Sequence, residues 1–123
     1  MSRYLIVMLG AALGGLARYV IGTFVMQRCS GRFPLGTLVV NISGCFLIGI
    51  LMTWFTARGD PHPSLRLLLV TGVLGGYTTF SSFAWETLQT VDEGSHAVGF
   101  INVASSLILG MIAVWCGAWL GRR

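Results

Sequence analysis

Residues 75–83 read GGYTTFSSF and lie inside a long apolar segment, 67–88, that is otherwise suited to cross a membrane. Two adjacent glycines, four threonine and serine residues and two phenylalanines make a poor helix core. Glycine costs about 1 kcal/mol relative to alanine in a helix interior, and β-branched threonine loses rotamer freedom there. Lipid-exposed irregular backbone does not occur in a hydrocarbon core; it is tolerated where protein buries it or where it lines a polar cavity. The stretch therefore predicts a broken third helix that marks a site or a pathway.

Outward from that stretch the chain is of one kind. Of its 123 residues 54% are apolar and 10% charged, whereas a soluble domain carries about 25% charged residues. Four apolar segments, 4–24, 35–55, 67–88 and 97–120, each reach the roughly 20 residues that span about 30 Å of hydrocarbon. The alternation of a membrane β-barrel is absent. The expected fold class is an all-α integral membrane protein, a single four-helix domain over residues 1–123. Arg3 ahead of the first segment resembles the start of a signal peptide. That apolar stretch is too long, however, and no small-residue cleavage site leads into a soluble domain, so it reads as a span.

The connections are short: MQRCSGRFP (26–34), TARGDPHPS (56–64) and the acidic QTVDEGSH (89–96). All eight basic residues are arginine. With four spans, Arg3, Arg58, Arg66, Arg122 and Arg123 share one side, and Arg28 and Arg32 the other, which mildly favours cytoplasmic termini. The net charge of +4 follows from this topology. No basic stripe interleaved with aromatics suggests nucleic acid. Cys29, Cys45 and Cys116 have no paired spacing, and Cys45 and Cys116 read as small packing residues within spans. His62 and His96 lack neighbours at metal-ligand spacing.

Seventeen glycines call for close helix packing. Gly10 with Gly14, Gly72 with Gly76 and Gly117 with Gly121 are small-xxx-small pairs that let helix backbones approach in lipid. Trp54, Trp85 and Trp119 fall at span ends, as aromatic belts do, and Trp115, a turn further in, reads as packing. Four helices enclose little interior, so a polar pathway would form between subunits, most simply in a homodimer.

The polar residues inside the spans carry the chemistry. Arg18 is costly in lipid; it either snorkels to the headgroups or draws anions to an entrance. Asn41 offers two amide donors, to a neighbouring helix or to a passing anion. Thr78, Thr79, Ser81 and Ser82 supply hydroxyls. Phe80 and Phe83, three apart, share a helix face, and aromatic edges carry partial positive charge that suits an anion. A full positive charge would hold an anion too tightly to conduct. Unwound carbonyls near Gly75–Thr78 suit a cation such as Na⁺. Glu86 lies at an interface or an entrance. Asn102 and Ser106, four apart in the last span, face the same way.

The motifs GTLVVN (36–41) and GxxGGxTTFSSF (72–83), with Glu86 three residues on, resemble the Fluc (CrcB-type) fluoride channels over essentially the whole chain. The resemblance implies a fluoride-selective channel, not an enzyme, that exports F⁻ passively and lowers fluoride toxicity. It implies an antiparallel, dual-topology homodimer with two pores, multi-pass in the bacterial plasma (inner) membrane. It also implies pore residues Phe80, Phe83, Asn41, Ser81, Ser82, Asn102 and Ser106. A structural Na⁺ on the dimer axis would be held by the main-chain carbonyls of Gly75 and Thr78. Arg18 matches the arginine of the first span and Glu86 the vestibule acid. Ala84 and Gly110 stand where many or some members have serine.

Two other classes compete. A small proton-coupled multidrug exporter shares four spans and dimeric assembly, but it needs an intramembrane carboxylate, and Glu86 lies near a helix end. A purely structural membrane subunit explains the glycines and tryptophans but not the donors clustered around Phe80.

Overall fold

The computed structural model describes residues 2–29 and 31–123, and among them every regular element is helical. We number the helices α1 (Arg3–Arg28), α2 (Leu35–Ala57), α3 (residues 63–77), α4 (Phe80–Asp92) and α5 (His96–Gly121). Four segments are long and apolar enough to cross a membrane: Arg3–Arg28, Leu35–Ala57, Pro63–Asp92 and His96–Gly121. Each outruns the expected apolar core by one to four residues at one or both ends, because polar residues continue the helix past the hydrocarbon. Arg28, for instance, is still helical and stacks on Phe24, 3.4 Å from the ring centroid.

The connections end helices by backbone chemistry. Gly94, at φ 78°, closes α4. Its N–H donates to the Val91 carbonyl and the Ser95 N–H to the Thr90 carbonyl, both at 2.9 Å. This paired arrangement satisfies carbonyls that a helix end leaves open and requires a left-handed residue. Gly59, at φ 69°, does the same after α2, where the Asp60 N–H reaches the Phe55 carbonyl at 2.8 Å.

The glycines meet backbone. A Cβ on Gly10 would lie 2.8 Å from the Gly72 Cα, and one on Gly76 would lie 2.5 Å from the Ala11 carbonyl oxygen. These positions seat α1 directly on α3. Gly49, Gly117 and Gly121 likewise join α2 to α5, where a Cβ on Gly121 would lie 2.6 Å from the Ile50 carbonyl oxygen. Helices in lipid gain nothing from burying apolar side chains against each other, so close backbone approach supplies the dispersion that holds them. The outer surface is correspondingly apolar, with Leu9, Leu13 and Leu16 of α1 all more than half exposed. Trp115, expected to pack, is 69% exposed, and Cys116 is also exposed. Both lie on the outer face of α5 because its inner face is taken by Gly110, Gly117 and Gly121.

Within α3, residues Leu67–Leu74 wind as a π-helix. The Gly75 N–H reaches back five residues to the Val70 carbonyl, the bond that defines this wider winding. Gly75 and Gly76 remain helical. The extended residues are Thr78 (φ −79°, ψ 155°) and Thr79 (φ −149°, ψ 121°).

Candidate functional site

Thr78 and Thr79 separate α3 from α4, and each is held by a different device. Thr78 turns its hydroxyl back to the Leu74 carbonyl at 3.0 Å. Its methyl occupies the space left free by Gly44 of α2, where a Cβ would collide with it. Thr79 is clasped by Asn41. The Asn41 Nδ2 donates to the Thr79 carbonyl, and the Thr79 N–H donates to the Asn41 Oδ1, both at 2.9 Å. One side-chain amide thus satisfies both polar groups of one residue, as a neighbouring β-strand would. An extended peptide in hydrocarbon would otherwise leave those groups unpaired.

Thr79 then starts α4. Its hydroxyl accepts from the Ser82 N–H at 3.2 Å and bonds the Ser82 hydroxyl at 3.1 Å and the Ser81 hydroxyl at 3.3 Å. The Phe80 and Ser81 N–H groups donate to no protein acceptor among the described residues. Free N–H groups and the helix dipole make such a terminus favourable to negative charge. On the other side of the two threonines, the carbonyls of Gly75 and Thr78 accept no backbone hydrogen bond among the described residues. Donors and acceptors are therefore sorted to opposite sides of one short extended segment.

Two clefts meet there. The larger, about 790 Å³, is lined by Arg18 and Gly22 of α1, Thr37 of α2, and Thr79, Ser82 and Glu86. The second, about 330 Å³, is lined by Asn41, Gly75, Thr78, Thr79 and Phe80 among others. Thr79 lines both. Arg18 is half-buried within the larger cleft, across from Glu86. The Thr37 hydroxyl donates to one Glu86 oxygen at 2.8 Å, and the other Glu86 oxygen is buried with no protein partner among the described residues.

The remaining expected residues divide. Phe80 and Phe83 lie together, ring centroids 5.6 Å apart at 49°, and Phe80 is 79% exposed. Asn102 is almost fully buried, and its Nδ2 donates to the Thr87 hydroxyl of α4 at 2.9 Å. It ties α5 to α4 rather than lining either cleft. Ser106 is one turn further along, and its hydroxyl is buried without a protein partner among the described residues. Asn41 is engaged at both its amide atoms, with one N–H left to offer.

Sequence reasoning did not single out Thr37, Thr79 or Thr87 as site residues. Thr79 is one of four hydroxyl residues in a row of five, and nothing in that row marks which one lies between the clefts. Thr37 is part of GTLVVN, but its partner is 49 positions away. Tyr77 was also passed over; its hydroxyl bonds Ser43 at 2.8 Å and joins α3 to α2.

Four apolar spans around a buried junction of amides and hydroxyls define a multi-pass helical membrane protein whose polar groups are gathered at one interruption. The sequence pattern of the family described as "CrcB-like protein, Camphor Resistance (CrcB)" matches residues 5–118. The chain belongs to that family. It is 56% identical to a protein of Solibacter usitatus named fluoride-specific ion channel FluC, over 98% of this chain and 99% of the relative. It is 46% identical to the FluC of Acidobacterium capsulatum, over 98% and 97%, and 41% identical to that of Rhizobium meliloti, over 99% and 98%.

Proposed function

We propose that this chain is the subunit of a fluoride-specific ion channel that lets F⁻ leave the cytoplasm passively, driven by the membrane potential. The observation that carries the reading is the junction at Thr79, where free N–H groups and hydroxyls at the start of α4 face a cleft holding one arginine. A small, hard anion that sheds water needs several donors in return, none of them binding so strongly that the ion stays. The Phe80 and Ser81 N–H groups, the Ser81 and Ser82 hydroxyls and the spare Asn41 N–H are donors of that strength. Arg18 draws the anion into the larger cleft, and the edges of Phe80 and Phe83 follow on the far side of Thr79. Ser106 supplies a further hydroxyl, and Asn102 holds the helix that carries it against α4. The names of relatives that match nearly the whole chain support fluoride as the ion.

The channel in this reading is an antiparallel homodimer with two pores, inserted both ways round in a bacterial plasma (inner) membrane. Support comes from what one copy leaves uncovered at mid-span. Phe80 and Gly75 are exposed, and the Gly75 and Thr78 carbonyls have no backbone donor. Lipid offers a carbonyl nothing; a second copy and a cation do. The two carbonyls are hard oxygen donors suited to Na⁺, and a Cβ on Gly75 would meet no atom closer than 3.9 Å, so the approach is open. Na⁺ bound there would neutralise the carbonyl dipoles where two copies meet.

Fluoride efflux from liposomes containing the purified protein tests the reading, with chloride in parallel. Rapid F⁻ release under a K⁺/valinomycin shunt with little Cl⁻ movement is expected. Absence of F⁻ flux from assembled dimers overturns it.

A further inference from the structure

At the end of the molecule where α1 and α3 begin, a cavity of about 410 Å³ is lined by Arg3, Asp60, Ser64, Arg66, Leu67 and Thr71, among others. It shares no lining residue with the clefts at Thr79. Its polar residues sit at the membrane-surface ends of the two helices, while Leu67 and Thr71 continue it one to two turns down α3. A polar mouth over an apolar floor, placed where hydrocarbon gives way to headgroups, matches the shape of a phospholipid better than that of a soluble ion.

The charges narrow the ligand. Arg66 Nη1 pairs with Asp60 Oδ2 at 2.8 Å, the only ion pair among the described residues. Arg3 is exposed at the cavity and carries no carboxylate partner among them. Two arginines and one aspartate leave a single positive charge. Asp60 is fixed in a left-handed conformation, φ 52°, by its N–H bond to the Phe55 carbonyl. Its second oxygen, Oδ1, is buried with no hydrogen-bond donor from the protein among the described residues. A buried carboxylate oxygen without a donor is costly. A ligand with one negative phosphodiester and a hydroxyl donor complements both features.

The geometry points to a binding site for an anionic phospholipid of the phosphatidylglycerol kind, its phosphodiester on Arg3 and Arg66 and a headgroup hydroxyl toward Asp60. Arg3 contributes most, because Arg66 is already partly neutralised. A guanidinium forks onto phosphate oxygens in two parallel bonds, which a surface lysine does not. The lipid fastens the start of α1 to the start of α3 at the membrane surface. This reading stands independently of which ion the protein conducts.

Native mass spectrometry of the full chain in detergent, with added phosphatidylglycerol, phosphatidylcholine or free glycerol phosphate, tests it. Phosphatidylglycerol adducts are expected in preference to phosphatidylcholine. Arg3→Gln should lower their occupancy about fivefold, the effect of one basic residue on an anionic headgroup. Arg3→Lys should recover part of the loss, and Arg123→Gln, at another helix end, should leave occupancy unchanged. Equal binding of phosphatidylcholine overturns the site. So does an equal loss in Arg123→Gln, which would make the attraction a diffuse surface effect. Displacement of the lipid by glycerol phosphate at matched concentration would assign the cavity to a soluble phosphate ester and overturn the lipid assignment.

Discussion

The two halves of the third span are held by opposite means. α3 lies on α1 with its backbone pressed against backbone at Gly72 and Gly76. α4 leaves α1 and packs on α5, and there the contact runs through side chains: Asn102 to Thr87, the Thr87 hydroxyl to the Phe83 carbonyl at 2.7 Å, and Val91 over Gly99. A backbone-to-backbone seam tolerates no added atom but needs no polar partner. A hydrogen-bonded seam tolerates small changes of shape but loses a donor with each substitution. The two extended threonines are where the chain passes from one regime to the other. The lesson is that the half meant to stay fixed is built from absence of side chains, and the half that carries chemistry is built from their polarity.

That contrast can be broken most sharply at Gly72. A Cβ there would lie 2.9 Å from the Gly10 Cα, so Gly72→Ile should cost about 3 kcal/mol or more by overpacking. Thermal unfolding in detergent should show early melting or no folded protein, and a wild-type melting curve would end the description of this seam. Asn41→Ala comes next. It strips both partners from Thr79 and should cost about 2 kcal/mol, with fluoride flux lost even where folded dimer is recovered. Unchanged stability would mean that Thr79 finds other partners.

Asn102→Leu should be milder, about 1 kcal/mol, because the Thr87 hydroxyl it abandons still donates to the Phe83 carbonyl. If this variant were less stable than Gly72→Ile, the ranking of the two seams would be inverted. The smallest stability change belongs to Phe80→Ile. At so exposed a position it should stay within about 0.5 kcal/mol, while liposome flux falls steeply, and Phe83→Ile should also impair flux with the dimer intact. Full flux in both variants would remove the phenylalanines from the pathway.

Four spans were legible from hydropathy alone, because length and apolarity are properties of the chain and need no partner. The roles of the glycine pairs were legible for the same reason: a residue without a side chain can only be approached. Asn41 and Glu86 stood out as polar groups in apolar surroundings. What the sequence hid depends on backbone direction. Gly75 and Gly76, the weakest helix formers of the row, stay helical, and the extended pair is Thr78 and Thr79, since only there does Asn41 supply both a donor and an acceptor. Trp115 and Cys116 were assigned inward for their apolarity, but in lipid the outer face is the apolar one. The π winding of LLLVTGVL has no composition of its own, being a matter of which carbonyl each N–H reaches.

That winding sets the azimuth of everything after it. A π turn holds an extra residue, so Leu67–Leu74 acts as a phase shifter between the loop and the threonines. Deleting a single residue from this stretch would let it relax to ordinary α geometry, at no loss of apolar length. It would also rotate Gly75 through Thr79 by roughly 100° about the helix axis, carrying Thr79 away from Asn41 and the free carbonyls to another compass point. The same eight residues can be substituted freely among apolar types but cannot be counted differently. For this segment number is a stricter constraint than identity, and a frame of tolerated deletions across the protein should show a gap there.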